Sequence, residues 1–123
     1  MSKKKKLTHD QKIIEALKKI KMPLIDKLRN RKIYYKEKSR SNEEGIDHIA
    51  RNYHDLDPSD IELLPEIIKN PLAHSRDKRY PMTYCYYHRR KHDRKNFIKV
   101  VVKVQKDLKT AYISSMFISS KIK

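Results

Sequence analysis

Three residues in one short stretch, GIDHIARNYH from Gly45 to His54, are of types that handle phosphate esters: His48, Arg51 and His54. Histidine titrates near neutral pH and can take or give a proton, and the arginine guanidinium is a forked donor for anionic oxygens. On a helix, Ile46, Ile49, Ala50 and Tyr53 fall at i, i+3, i+4 and i+7 and form one apolar stripe. Asp47, Arg51 and His54 then line one flank of that stripe, and His48 lies further round, nearly opposite its centre. Such a helix buries one side and carries a carboxylate, a guanidinium and an imidazole along its edge. A solvated surface helix has the same composition, so this stretch alone does not separate the two readings.

The charge balance of the whole chain narrows the choice of partner. Among 123 residues, 31 Lys and Arg oppose 15 Asp and Glu, a net charge of +16. An excess of that size implies an anionic partner, with nucleic acid the default. The excess is uneven: residues 1–45 carry a net +9, residues 46–68 a net −5, and residues 69–123 a net +12. A basic face built from the two ends of the chain follows from that pattern. The single glycine, Gly45, excludes glycine-rich phosphate loops, and the single cysteine, Cys85, excludes an intrachain disulfide. Lys3–Lys6 is followed by polar residues and not by an apolar signal core, and no apolar run approaches ~18 residues. The expectation is a cytoplasmic protein with no membrane partner.

Several elements must position these groups. Thr8 and Gln11 have capping-box spacing, and Ile13, Leu17 and Ile20 follow at helical spacing. Pro23 is placed to open a second short helix through Leu24, Ile25 and Leu28. Residues 36–44 contain no apolar side chain and read as a linker, so residues 1–45 form a basic helical arm and linker ahead of a domain over 46–123. The arm's lysines suit phosphate contact and a solvated helix equally. Asp57-Pro58 starts a helix through Ile61 and Leu64, Pro65 restarts it, and Asn70-Pro71 ends it. From Arg79 the period becomes two. Tyr80, Met82, Tyr84 and Tyr86 share one strand face, and Thr83, Cys85 and Tyr87 share the other. Ile98, Val100, Val102 and Val104 point inward, with Lys99 and Lys103 outward. A last strand over 108–118 puts Ala111, Ile113, Ser115 and Phe117 on one face. Helices followed by an antiparallel meander predict an α+β fold, with helices packed on one face of a small antiparallel sheet. Tyrosines beside lysines on the open face suit single-stranded RNA, because rings stack on unpaired bases.

Taken in order, residues 48–117 resemble the phage-type nucleases of the barnase/EndoU/colicin/RelE-like superfamily. The pieces are His48-Ile-Ala-Arg51-Asn-Tyr-His54, Leu64-Pro65-Glu-Ile-Ile68-Lys-Asn-Pro71, Tyr84 to Tyr87, Val100-Val-Val-Lys103 and Ile113-Ser-Ser115-Met-Phe117. Two residues separate Arg51 from His54 where the family places such residues side by side, and Phe117 stands where an aromatic hydroxyl is usual. The resemblance implies a metal-independent endoribonuclease of toxin type, in which the ribose 2′-hydroxyl attacks phosphorus and leaves a 2′,3′-cyclic phosphate. It implies His54 as general base or acid, with His48 second, and Arg51, Lys103 and Lys99 on the phosphate. Ser115, beside Ser114, would position a phosphate oxygen or the 2′-hydroxyl, and Tyr84 or Tyr86 would stack a base. It implies no cofactor, RNA as partner, and an immunity or antitoxin protein to restrain the activity.

Three other readings compete. The first is a nucleic-acid-binding protein that keeps the fold without catalysis, and the second is a phage protein-interaction module. The third is a zinc site from Cys85, His88 and His92, with His74 as a fourth ligand. Zinc is disfavoured because no second cysteine is present.

Overall fold

The computed structural model of the chain describes residues 8–21, 23–27, 30–34, 55–93 and 95–121. The stretch Gly45 to His54, with His48, Arg51 and His54, and the 36–44 linker lie outside the described residues.

The first helix, α1 (His9–Lys18), begins where its capping box lies. The Gln11 backbone N–H donates to Thr8 Oγ1 at 3.2 Å, and the Thr8 N–H donates to Gln11 Oε1 at 2.9 Å. Two otherwise unpaired amide donors are thereby satisfied. Ile13, Ala16 and Leu17, at i, i+3 and i+4, are buried, while Lys12 and Lys18 are exposed.

The expected helix at Pro23 is instead a hairpin, β1 (Leu24–Asp26) and β2 (Arg31–Tyr34). Leu24 and Asp26 are buried and Ile25 is exposed, a period of two and not of 3.6. Asn30 enters the left-handed region at φ 53°, which asparagine tolerates better than most residues. Long-range pairing overrides the local helix signal here. Strand β2 runs parallel to β6 (Thr110–Ser119), with Ile33 opposite Ala111.

Two short helices follow, α2 (Pro58–Glu62) and α3 (Leu64–Lys69). As the Asp57-Pro58 pair predicts, α2 starts there, and the Asp60 carboxylate accepts from the Asp57 N–H at 2.8 Å. Strand β3 (Ala73–Arg76) then pairs antiparallel with β4 (Thr83–Arg89), β4 with β5 (Phe97–Val104), and β5 with β6. The fold is α+β around one six-stranded sheet in the order β1-β2-β6-β5-β4-β3. The sheet is mixed and not purely antiparallel, because β2 joins it alongside β6 in parallel.

One apolar core takes Ile98, Val100, Val102 and Val104 from β5, Ile61, Ile67 and Ile68 from the short helices, Ile13 and Leu17 from α1, and Leu24 and Ile33 from the hairpin. Residues on both sides of position 45 thus supply side chains to a single core and strands to a single sheet. Each fully buried Leu or Ile contributes about 1.5–3 kcal/mol of transfer free energy. No helix among the described residues is long and apolar enough to cross a membrane.

One irregularity decides which residues face away from that core. Val102 pairs with Ile113, but Val101 pairs with Ser115, so Ser114 is an extra residue on β6. A bulge of this kind shifts the alternation by one. Ala111 and Ile113 point to the core before it, and Met116 does so after it. Strict alternation puts Ser115 and Phe117 on the core face with Ile113; the bulge moves both to the opposite face.

Candidate nucleic-acid interface

Side chains directly opposite in antiparallel strands lie on the same face, so the register gives the outer face as a set of rungs. Thr83, Lys103 and Tyr112 make one rung across β4, β5 and β6. Cys85, Val101 and Ser115 make the next, and Tyr87, Lys99 and Phe117 the third. Arg89, Phe97 and Ser119 complete the series.

In the third rung a cation lies between two rings. Lys99 Nζ is 5.5 Å from the centroid of Tyr87 and 5.6 Å from that of Phe117. Each contact is within cation–π range and is worth about 0.5–1 kcal/mol at a partly exposed site. The rings flank the half-buried Lys99 at the middle of the face. In the neighbouring rung the Arg89 guanidinium lies 5.5 Å from the Phe97 ring. Lys103 stands four residues along β5 from Lys99, about 13 Å at strand rise, and is exposed. Ser115 is half-buried and sits diagonally to both lysines, a relation that places backbones about 7–8 Å apart.

Lys99, Lys103 and Ser115 are therefore brought to one face. Ser114 is the bulge residue beside them. Tyr84 and Tyr86 are not with them. They pair with Val102 and Val100 and share the core side of the sheet. Tyr86 is 1% exposed, and its hydroxyl donates to the Asp26 carboxylate. Tyr84 carries the Arg31 guanidinium over its ring at 4.5 Å. The rings on the lysine side are instead Tyr87, which is as buried as Tyr86, and the half-buried Phe117 and Tyr112. Apolar residues occupy both parities of Tyr84-Cys85-Tyr86-Tyr87, so the sequence offers no signal for which tyrosine faces out. The shift of Phe117 needs the bulge, which no local motif announces.

The charged loop between β4 and β5 has a structural role. Arg90 Nε donates to Asp60 Oδ1 at 3.0 Å, and its NH2 group donates to Asp60 Oδ2 at 2.9 Å. A further bond runs from Arg90 to Asp57 at 3.2 Å. Those carboxylates push the already high pKa of Arg90 higher, the hydrogen bonds to Asp60 most of all. Burial pushes the Cys85 thiol up, and the charge of Lys99 opposes that shift. Cys85 is thus a buried thiol whose ionisation its surroundings oppose.

Cys85 and His88 fall on opposite faces of β4, opposite Val101 and Ile98 respectively. Among the described residues no group of three or more His, Cys, Asp or Glu side chains is arranged to hold a metal ion. His74 and His88 take core-side register positions, opposite Tyr86 and Ile98, and His88 Nδ1 lies 2.9 Å from the Arg89 carbonyl. The face offers Lys99 and Lys103 to anionic oxygens and two half-buried rings, Phe117 and Tyr112, to a flat ligand. Comparison with protein-family models, curated proteins and solved structures returns no match to this chain.

Proposed function

We propose that this chain binds single-stranded RNA across the outer face of the sheet and cleaves it by metal-independent transesterification. The observation that carries the reading is the Tyr87–Lys99–Phe117 rung, with Ser115 and Lys103 on the same face. A cation flanked by rings, of which the half-buried Phe117 has surface to offer, beside a hydroxyl and a second lysine, suits a phosphodiester with unpaired bases. The order of sequence motifs from His48 to Phe117 supports the catalytic half.

In this reading a base removes the proton of the ribose 2′-hydroxyl, whose oxygen bonds to the adjacent phosphorus. The phosphorus–5′-oxygen bond breaks, an acid protonates the leaving 5′-oxygen, and a 2′,3′-cyclic phosphate remains. His54 serves as base or acid, with His48 the other candidate, and Arg51, Lys103 and Lys99 hold the charge that builds on the phosphoryl oxygens. Ser115 orients a phosphate oxygen or the 2′-hydroxyl. An active ribonuclease in a cell calls for a restraining immunity or antitoxin protein.

A second reading, RNA binding without cleavage, is favoured by one observation. Among the described residues the face carries cations, a hydroxyl and rings, but no imidazole. One experiment separates the two: incubate labelled RNA with the protein in EDTA between pH 5 and 9. Cyclic-phosphate ends that disappear in His54→Ala and Arg51→Ala support cleavage. Bound RNA without product at any pH supports binding alone.

A further inference from the structure

The cavity between the β3–β4 loop and Lys99 has a construction that scattered surface lysines lack. Its volume is about 460 Å³, within the usual range for small-ligand sites. The floor is apolar: Cys85 and Tyr87, 3% and 1% exposed, rise from β4. The rim is cationic, with Lys78 and Arg79 on one side and Lys99 on the other, while Arg76 stands opposite Tyr84 at a core-side register position.

The loop wall is folded in advance. The Asp77 N–H donates to the Thr83 carbonyl at 2.8 Å, and Asp77 Oδ1 accepts from the Arg79 and Tyr80 amides at 2.8 and 3.1 Å. Those two bonds, first Arg79 and then Tyr80, hold the Asp77 carboxyl below the ordinary carboxylate range, and the charges of Arg79 and Lys99 add to the effect. The one acid on the rim is turned to the loop's own backbone, and Lys78, Arg79 and Lys99 border the space it leaves. Lys99 belongs both to this rim and to the ring-flanked rung, so the cavity is continuous with the outer face.

We propose that this cavity is a nucleotide subsite, in which Arg79 and Lys99 hold a phosphate and the apolar floor supports the attached nucleoside. This deepens the RNA-binding reading and rests on it for the identity of the natural ligand. A flat apolar body joined to a phosphate matches both floor and rim. Inorganic phosphate matches only the rim, and adenosine only the floor.

The test is a titration of the ¹⁵N-labelled full chain with adenosine 5′-monophosphate, adenosine and inorganic phosphate in turn, with binding of a single-stranded RNA oligomer measured in parallel. The monophosphate should give saturable shifts at the amides of Asp77 to Tyr80 and around Lys99, and should bind more tightly than either fragment. Arg79→Ala should weaken it about fivefold, the loss of one charge-assisted contact. Lys109→Ala, an equal charge loss on the β5–β6 turn, should change it by less than about twofold. Equal weakening by both variants, shifts scattered over many lysines, or equal shifts from an oligoglutamate of matched charge would overturn the subsite. RNA binding that leaves the loop amides unmoved would end the subsite and spare the RNA reading. Monophosphate binding at the loop without RNA binding would do the reverse.

Discussion

Replacing Arg90 with alanine removes the partner of a carboxylate that cannot return to water. The Asp60 side chain is only 2% exposed, and both its oxygens accept from Arg90, at 3.0 and 2.9 Å. Removing one member of a buried, hydrogen-bonded pair costs about 3–5 kcal/mol, because the other charge stays desolvated. A chain of this length has a total stability of about 6–18 kcal/mol, so the loss is a large fraction of the whole. Urea unfolding followed by circular dichroism should show the midpoint falling by about 2 M, at a slope of ~2 kcal/mol per molar. The double variant Arg90→Met/Asp60→Asn should recover part of that loss, since neither buried charge remains. A midpoint shift under ~0.5 M for Arg90→Ala would mean that Asp60 finds other solvation, and the pinning of the β4–β5 loop to α2 would have to be abandoned.

Three further outcomes follow from the same geometry. Leu108, 56% exposed, sits in the left-handed region at φ 62°, so Leu108→Gly should raise stability by about 1 kcal/mol, read as a higher melting temperature. Tyr86→Phe should act on stability and not on RNA affinity, at a cost of about 1–3 kcal/mol, because the buried Asp26 carboxylate loses a donor. Asp77 has a folded pKa below its unfolded value of about 3.9. Its stabilising effect on the loop is therefore fully present above the unfolded value and lost as pH falls through the folded one. Amide exchange at Arg79 and Tyr80 should accelerate in that acid window in the native chain, and Asp77→Asn should remove the pH dependence.

Local signals in the sequence located those elements whose stability is local. The Thr8–Gln11 box, the Asp57-Pro58 start and the Val100/Val102/Val104 alternation each appear where their residues place them. Pro23 to Asp26 escaped because a three-residue strand is decided by its partners, and the partner of β2 lies more than 70 residues away in β6. Strand β3, with exposed His74 and Arg76, has no apolar alternation to read. For the candidate site, Lys99 and Lys103 were readable from period two, since β5 is regular through both. The rings beside them were not. Tyr87 and Tyr86 differ only in which face meets the core, and Phe117 reaches the lysine side through the extra residue at Ser114.

The salt dependence of RNA binding by Lys99→Met tests the outer face most directly, because methionine keeps an apolar stem between Tyr87 and Phe117 and removes only the charge. If Lys99 holds a phosphate, the slope of log affinity against log salt should become shallower by about 0.7, the single-strand value per contact. Affinity should fall about five- to thirtyfold at fixed salt. An unchanged slope, with the variant folded and binding RNA as the native chain does, would contradict the assignment of this face.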